Sequence, residues 1–206
     1  MTHAKSYESF TDWARDKATV ITHPIAAFLH RLGFHPNTIT ILGFVLSLVV
    51  AFVLSQGKLV LGGILLILFS SVDALDGALA RVSGEKSRFG AFLDSTLDRL
   101  SEGSMLLGLL IWLLGTGAST EGVLIYVVML GSVMVSYTRA RAEGIGLACK
   151  TGLLTRMERV ILLGIGLIAG WVLPVLILMA VLTWFTVGQR MIYVYRESRK
   201  IPEPAG

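Results

Sequence analysis

DALDGALARVSGEKSRFGAFLDSTLD, residues 73–98, sets four aspartates on the two sides of a short polar break, and its flanks are almost entirely apolar. Asp73 and Asp76 stand three residues apart and Asp94 and Asp98 four, so each pair shares one face of its helix. The upstream flank shows that these carboxylates do not sit wholly outside a bilayer. Between Lys58 and Asp73 only 14 residues are uncharged, about 21 Å of helix against a hydrocarbon core of ~30 Å. A span built there must carry Asp73 and Asp76 in its own last turns. Because the break SGEKS (83–87) is short, the next helix is expected to run back as an antiparallel neighbour, gathering all four carboxylates around one cavity. Ionisable groups at such depth are costly and functional by default. Four unneutralised carboxylates would repel, and hard divalent cations such as Mg²⁺ or Mn²⁺, held jointly with substrate phosphates, suit them.

The rest of the chain points the same way. Its 206 residues are 54% apolar and only 16% charged, with a mean hydropathy of +0.73, which excludes a water-soluble globular domain. The single cysteine, Cys149, excludes an internal disulfide, and the four histidines (His3, His23, His30, His35) all precede the first apolar run. A pI near 9.4 reads here as cytoplasmic loops facing anionic lipid rather than as nucleic-acid binding.

Apolar runs predict six transmembrane helices near 38–55, 60–82, 89–114, 122–141, 154–169 and 173–193, an all-α polytopic membrane protein. Residues 1–36 form a polar, mixed leader without the pattern of a cleaved signal. In it Tyr7, Phe10, Trp13, Ala14 and Lys17, then Ile25, Phe28, Leu29 and Leu32, recur at helical spacing, which predicts an interfacial amphipathic helix. The organisation expected is thus an amphipathic segment (1–36), one six-span domain (37–195) and a polar tail (196–206). Of 18 Lys and Arg residues, only Lys58 falls in the connections after spans one, three and five. The positive-inside rule then places both termini, and the carboxylates, on the cytoplasmic side of the cell membrane. A second misfit of length lies near the end, where residues 160–189 give 30 uncharged positions for two spans. Arg156, Arg159 and Arg190 are thereby drawn inward. Gly166 and Gly170 form a GxxxG that suits packing within the chain or between subunits equally.

The opening string has the form DxxDGxxARx8GxxxDxxxD, eight fixed positions across 26 residues, and it resembles, without departure, the signature of the CDP-alcohol phosphotransferase family. The resemblance implies a six-span homodimeric enzyme that moves a phosphatidyl group from CDP-diacylglycerol to an alcohol and releases CMP. Carried over by position, Asp73, Asp76, Asp94 and Asp98 are expected to ligate two Mg²⁺ or Mn²⁺ ions, with Asp98 also the general base. Gly77, Arg81 and Ser87 are expected at the CDP moiety. Upstream, HPNTIT is similar to the family's PN/DxxT segment, so Asn37, Thr38, Ile39 and Thr40 are expected to contact CDP-diacylglycerol as well.

For the acceptor, Arg139, Arg156, Arg159 and Arg190 can form a second basic pocket suited to an alcohol bearing its own phosphate. Ordinary loop arginines are the competing reading. SYTRARAEG, LTRMERV and VGQRM resemble segments of bacterial phosphatidylinositol phosphate synthases, although Arg139 stands where a lysine is common and a threonine replaces the first glutamate of an ERxER stretch. Inositol 3-phosphate is therefore the acceptor expected. Glycerol 3-phosphate is the nearest rival, with serine, free inositol or an ether-lipid donor further off. Buried carboxylates would also suit a cation transporter, but the polar residues gather on one side rather than at the midplane.

Overall fold

The structure is a computed structural model, and it describes residues 22–85, 87–149 and 151–200, without the side chains of residues 73 and 74. Tyr7, Phe10, Trp13, Ala14 and Lys17 of the expected leader helix, and the tail beyond 200, lie outside the described residues.

Six helices follow the apolar runs closely: α1 (Pro36–Ser55), α2 (Leu59–Val82), α3 (Arg88–Thr116), α4 (Ser119–Gly144), α5 (Arg156–Ile168) and α6 (Val172–Ser198). No strand occurs among the described residues. Local chemistry fixes the boundaries. Pro36 opens α1 where a missing N–H costs nothing. The Ser87 hydroxyl caps α3 by accepting from the Gly90 N–H at 2.9 Å. Thr155 and Glu158, hydrogen-bonded to each other, stand at the start of α5. Gly117, at φ 77°, adopts the left-handed conformation that ends α3, and its N–H and that of Ala118 close back onto Leu113.

Four of these helices, α1, α2, α4 and α6, are long and apolar enough to cross a membrane. The other two carry the exceptions that matter. α3 is 29 residues long, but its first half holds Asp94, Asp98, Arg99 and Glu102. α5 has only 13 residues, about 20 Å of helix. Phe52, Leu68, Leu107, Ile111 and Phe185 face outward, whereas the apolar core draws on all six helices. An apolar exterior over a polar site at one end is what a lipid solvent selects.

The helices form a ring in the order α1, α2, α5, α6, α4, α3. This corrects the expectation that α2 and α3 are direct neighbours: α1 packs along both, and α2 and α3 do not pack along each other. Small residues decide it, because helices in lipid associate where their backbones can approach. A Cβ on Gly108 of α3 would collide with the Ala51 backbone of α1. One on Gly63 of α2 would fall 2.8 Å from the Gly164 carbonyl oxygen of α5. Gly166, half of the GxxxG, lies against Val175 of α6, and Gly170 serves the turn between α5 and α6. That motif is used within the chain. Ahead of the ring, residues 22–31 are helical, and Ala26 is buried against Ile39, Ala78 and Leu79. Leu29 packs beside it, while Ile25, Phe28 and Leu32 are exposed.

Candidate active site

The odd helices begin and the even helices end at one face of the ring, which brings the start of α1, the end of α2 and the first turns of α3 and α5 together. Thr40 of α1 donates its hydroxyl to Asp76 Oδ2 of α2 at 2.8 Å, with both residues buried. The HPNTIT and DALDG segments are thereby joined by one bond. Asn37 reaches the other side: a Cβ on Gly90 would lie 3.0 Å from Asn37 Oδ1. Any larger residue at 90 would require the Asn37 amide and the Ser87 hydroxyl, both 3.0 Å away, to give by a few tenths of an ångström. On α2 the Arg81 guanidinium lies over Gly77, its Nη1 3.6 Å from where a Cβ would stand. A backbone strip with an arginine beside it suits close approach by a phosphate. Thr38 is exposed at the same end. The Ile39 side chain is buried in the apolar cluster with Ala26 and Leu79. Ser87 gives its side chain to the α3 cap.

Across the ring, α3 and α5 are linked by two ion pairs one above the other. In the outer one Asp98 Oδ1 meets Arg156 Nη1 at 2.8 Å, while Asp98 Oδ2 meets Arg99 Nη2 at 3.1 Å. In the inner one Arg159 grips Glu102 through two bonds of 2.6 and 2.8 Å, and also donates to the Leu154 carbonyl. The Asp98 and Arg156 side chains keep 16% and 22% of their surface, whereas Arg159 keeps 1%. A small cavity of about 20 Å³ lies beside the outer pair, lined by Ser47, Ser70, Ser101 and Arg156 among apolar neighbours.

The four arginines expected to share an acceptor pocket are treated very differently. Arg159 is spent on Glu102. Arg190 is buried and donates to the backbone carbonyls of Thr151 and Val135, tying the 145–155 connection to α4 and α6. Both thus have guanidinium donors facing protein acceptors, Glu102 and the Leu154 carbonyl for Arg159 and two backbone carbonyls for Arg190, which makes them fastenings of the fold. Arg156 remains at the site, and Arg139 is exposed, paired with Glu143 one turn on at 2.8 Å. Sequence reasoning missed Glu102. The signal was present, since Asp94, Asp98 and Glu102 recur every four residues along one face.

Among the described residues no group of three or more His, Cys, Asp or Glu side chains is gathered tightly enough to hold a metal ion, and the Asp73 side chain is outside that description. The donor chemistry nevertheless fits a hard cation. Asp76, Asp94 and Asp98 are oxygen donors at one polar end, with Asp73 one turn before Asp76.

Residues 34–192 match the family model described as CDP-alcohol phosphatidyltransferase. The chain is 40% identical over 193 residues to the phosphatidylinositol phosphate synthase of Mycobacteroides abscessus, covering 86% of this chain and 85% of that one. It is 38% identical over 184 residues to the archaetidylinositol phosphate synthase of Methanothermobacter thermautotrophicus, covering 86% and 91%. The crystal structure of Mycobacterium tuberculosis phosphatidylinositol phosphate synthase with CDP-DAG bound superposes with a TM-score of 0.80 at 35% identity, covering 85% of this chain and 94% of that one. A second structure of that enzyme, in complex with manganese and citrate, gives a TM-score of 0.77 at 35% identity, covering 84% and 88%.

Proposed function

The chain belongs to the CDP-alcohol phosphatidyltransferase family, and from that premise we propose that it transfers the phosphatidyl group of CDP-diacylglycerol to 1D-myo-inositol 3-phosphate, giving phosphatidylinositol phosphate and CMP. The observation that carries the reading is the join between Thr40 and Asp76, which assembles HPNTIT and the aspartate string into one site. Two relatives support the acceptor, since a bacterial and an archaeal synthase are both named for an inositol phosphate product. Their names differ in the lipid.

In this reading Asp73, Asp76, Asp94 and Asp98 hold two divalent ions, Mg²⁺ or Mn²⁺, and the manganese complex of the tuberculosis enzyme supports that class of cofactor. When bound, such ions neutralise charge on the diphosphate and on the departing CMP. The protein's own groups do the rest. Gly77 leaves room for the diphosphate, Arg81 pairs with it, and Asn37, Thr38 and Thr40 line its approach. The acceptor hydroxyl oxygen forms a bond to the lipid-side phosphorus as the bond from phosphorus to the CMP oxygen breaks, and Asp98 takes the hydroxyl proton. Arg156, with Arg139 at the rim, meets the acceptor's phosphate. No nucleoside triphosphate is consumed, because the anhydride supplies the driving force.

The setting proposed is a homodimer in the cell membrane, with six crossings. α3 and α5 cross by sinking their charged first turns into the protein interior, the leader lies at the interface, and both termini and the site face the cytoplasm. The test is CMP release from CDP-diacylglycerol against a panel of alcohols with a divalent salt. Inositol 3-phosphate is expected to be the preferred acceptor. Preference for glycerol 3-phosphate or free inositol would overturn the acceptor and leave the phosphotransfer standing.

A further inference from the structure

The proposed mechanism makes no use of the inner ion pair, yet burying it is expensive. Arg159 is among the largest fully buried side chains and Glu102 is buried with it. An apolar pair of similar volume is often as stable as a buried ion pair or more so, so stability alone gives no reason to keep two charges there. Geometry gives one. Asp98 and Glu102 are four apart on one face of α3, and Arg156 and Arg159 three apart on one face of α5. The two pairs are therefore rungs between the same two faces, the inner sealed and the outer reachable.

Both arginines stand in the first turn of α5, which has 13 residues and follows a non-helical connection rather than another helix. The bonds that hold that connection run to Thr186, Gln189 and Arg190 of α6 rather than to α3, and one residue of rotation would swing Arg156 about 100° away from Asp98. A two-bond grip between guanidinium and carboxylate fixes distance and rotation together. The third bond, from Arg159 to the Leu154 carbonyl, extends the grip to the connection itself.

We propose that Glu102 and Arg159 are positioning residues for the acceptor: they lock the first turn of α5 against α3 and so hold the Arg156 guanidinium at Asp98, without touching either substrate. The proposal rests on the reading of Arg156 as the acceptor's phosphate contact. It separates donor from acceptor, because the residues assigned to the nucleotide itself, Asn37, Thr38, Thr40, Gly77 and Arg81, stand on α1 and α2, which the pair does not join.

The experiment compares the full-length enzyme with Glu102→Gln, Arg159→Lys and the double variant Glu102→Leu/Arg159→Met, in the same detergent and lipid. KM for each substrate and the thermal midpoint are measured together. The double variant is expected to keep its midpoint within a few degrees while KM for inositol 3-phosphate rises tenfold or more and KM for CDP-diacylglycerol stays within twofold. Arg159→Lys, which keeps the charge but loses the fork, is expected to fall between wild type and Glu102→Gln, and it carries the test if the double variant does not fold. Wild-type acceptor KM in a folded variant, or parallel loss of both KM values with the midpoint, overturns the proposal. If the wild-type enzyme instead prefers another acceptor, the reading of the substrate fails separately, and the same split between donor and acceptor is read with that alcohol.

Discussion

Thr40 contributes a single hydroxyl, but through it a hydrogen bond links two segments 36 residues apart. Thr40→Val keeps the shape and removes the donor, leaving the buried Asp76 carboxylate one hydrogen bond short. A bond to a charged group is worth on the order of 1.5 to 3 kcal/mol, so kcat/KM for CDP-diacylglycerol is expected to fall roughly 10- to 150-fold. Steady-state kinetics at saturating acceptor checks it, and an unchanged value would detach HPNTIT from the donor site. In the proposed reading Arg156 serves the other substrate. Arg156→Ala is expected to raise KM for inositol 3-phosphate by a similar factor, with donor KM hardly moved. Arg156→Lys should lie between, since an ammonium offers a point charge where the guanidinium offers a fork. If Arg156→Ala binds the acceptor normally, the contact assigned to it is wrong.

Single helices were largely legible, and their arrangement was not. The ends of α1, α2, α3 and α6 fall within a few residues of the apolar runs, because breakers such as Gly57, Gly117 and Gly170 act through local backbone conformation. The shortness of α5 also follows from counting, since 30 uncharged residues do not make two full spans. Neighbour order is different in kind. Nothing in the α2–α3 connection announces that α1 lies between them, because that outcome depends on Gly108 of α3 meeting Ala51 of α1. The fates of Arg159 and Arg190 were hidden for the same reason: drawing a charge inward is a matter of length, but what it meets is a matter of packing. Gly108→Leu should therefore be among the most damaging changes far from the chemistry. Overpacking of this kind typically costs about 1 to 3 kcal/mol and sometimes more, and here backbone rather than a flexible side chain stands in the way. A thermal midpoint of Gly108→Leu equal to wild type would contradict the packing of α1 on α3.

At the scale of the molecule, the metal role proposed for the four aspartates requires a counter-charge that comes and goes with conditions. Removing divalent ions with a chelator is expected to reduce CMP release to background while leaving the thermal midpoint largely in place, because the apolar core lies apart from the aspartates. Mn²⁺ or Mg²⁺ should restore turnover, and activity that survives chelation would remove the aspartates from the metal role. The order of the ring has a consequence for how the enzyme comes into being. Helices adjacent in sequence pack as pairs, α1 with α2, α3 with α4 and α5 with α6, and each pair touches both others. The protein is thus three hairpins, each suited to enter the bilayer as a unit. Asp76 rides on the first, Asp98 on the second and Arg156 on the third. In the proposed reading no hairpin owns a site, so catalysis would arise only when the last of the three has docked, and turnover would become a readout of completed assembly. Two fragments divided in the connection between α4 and α5, made together in one cell, should regain activity that neither has alone.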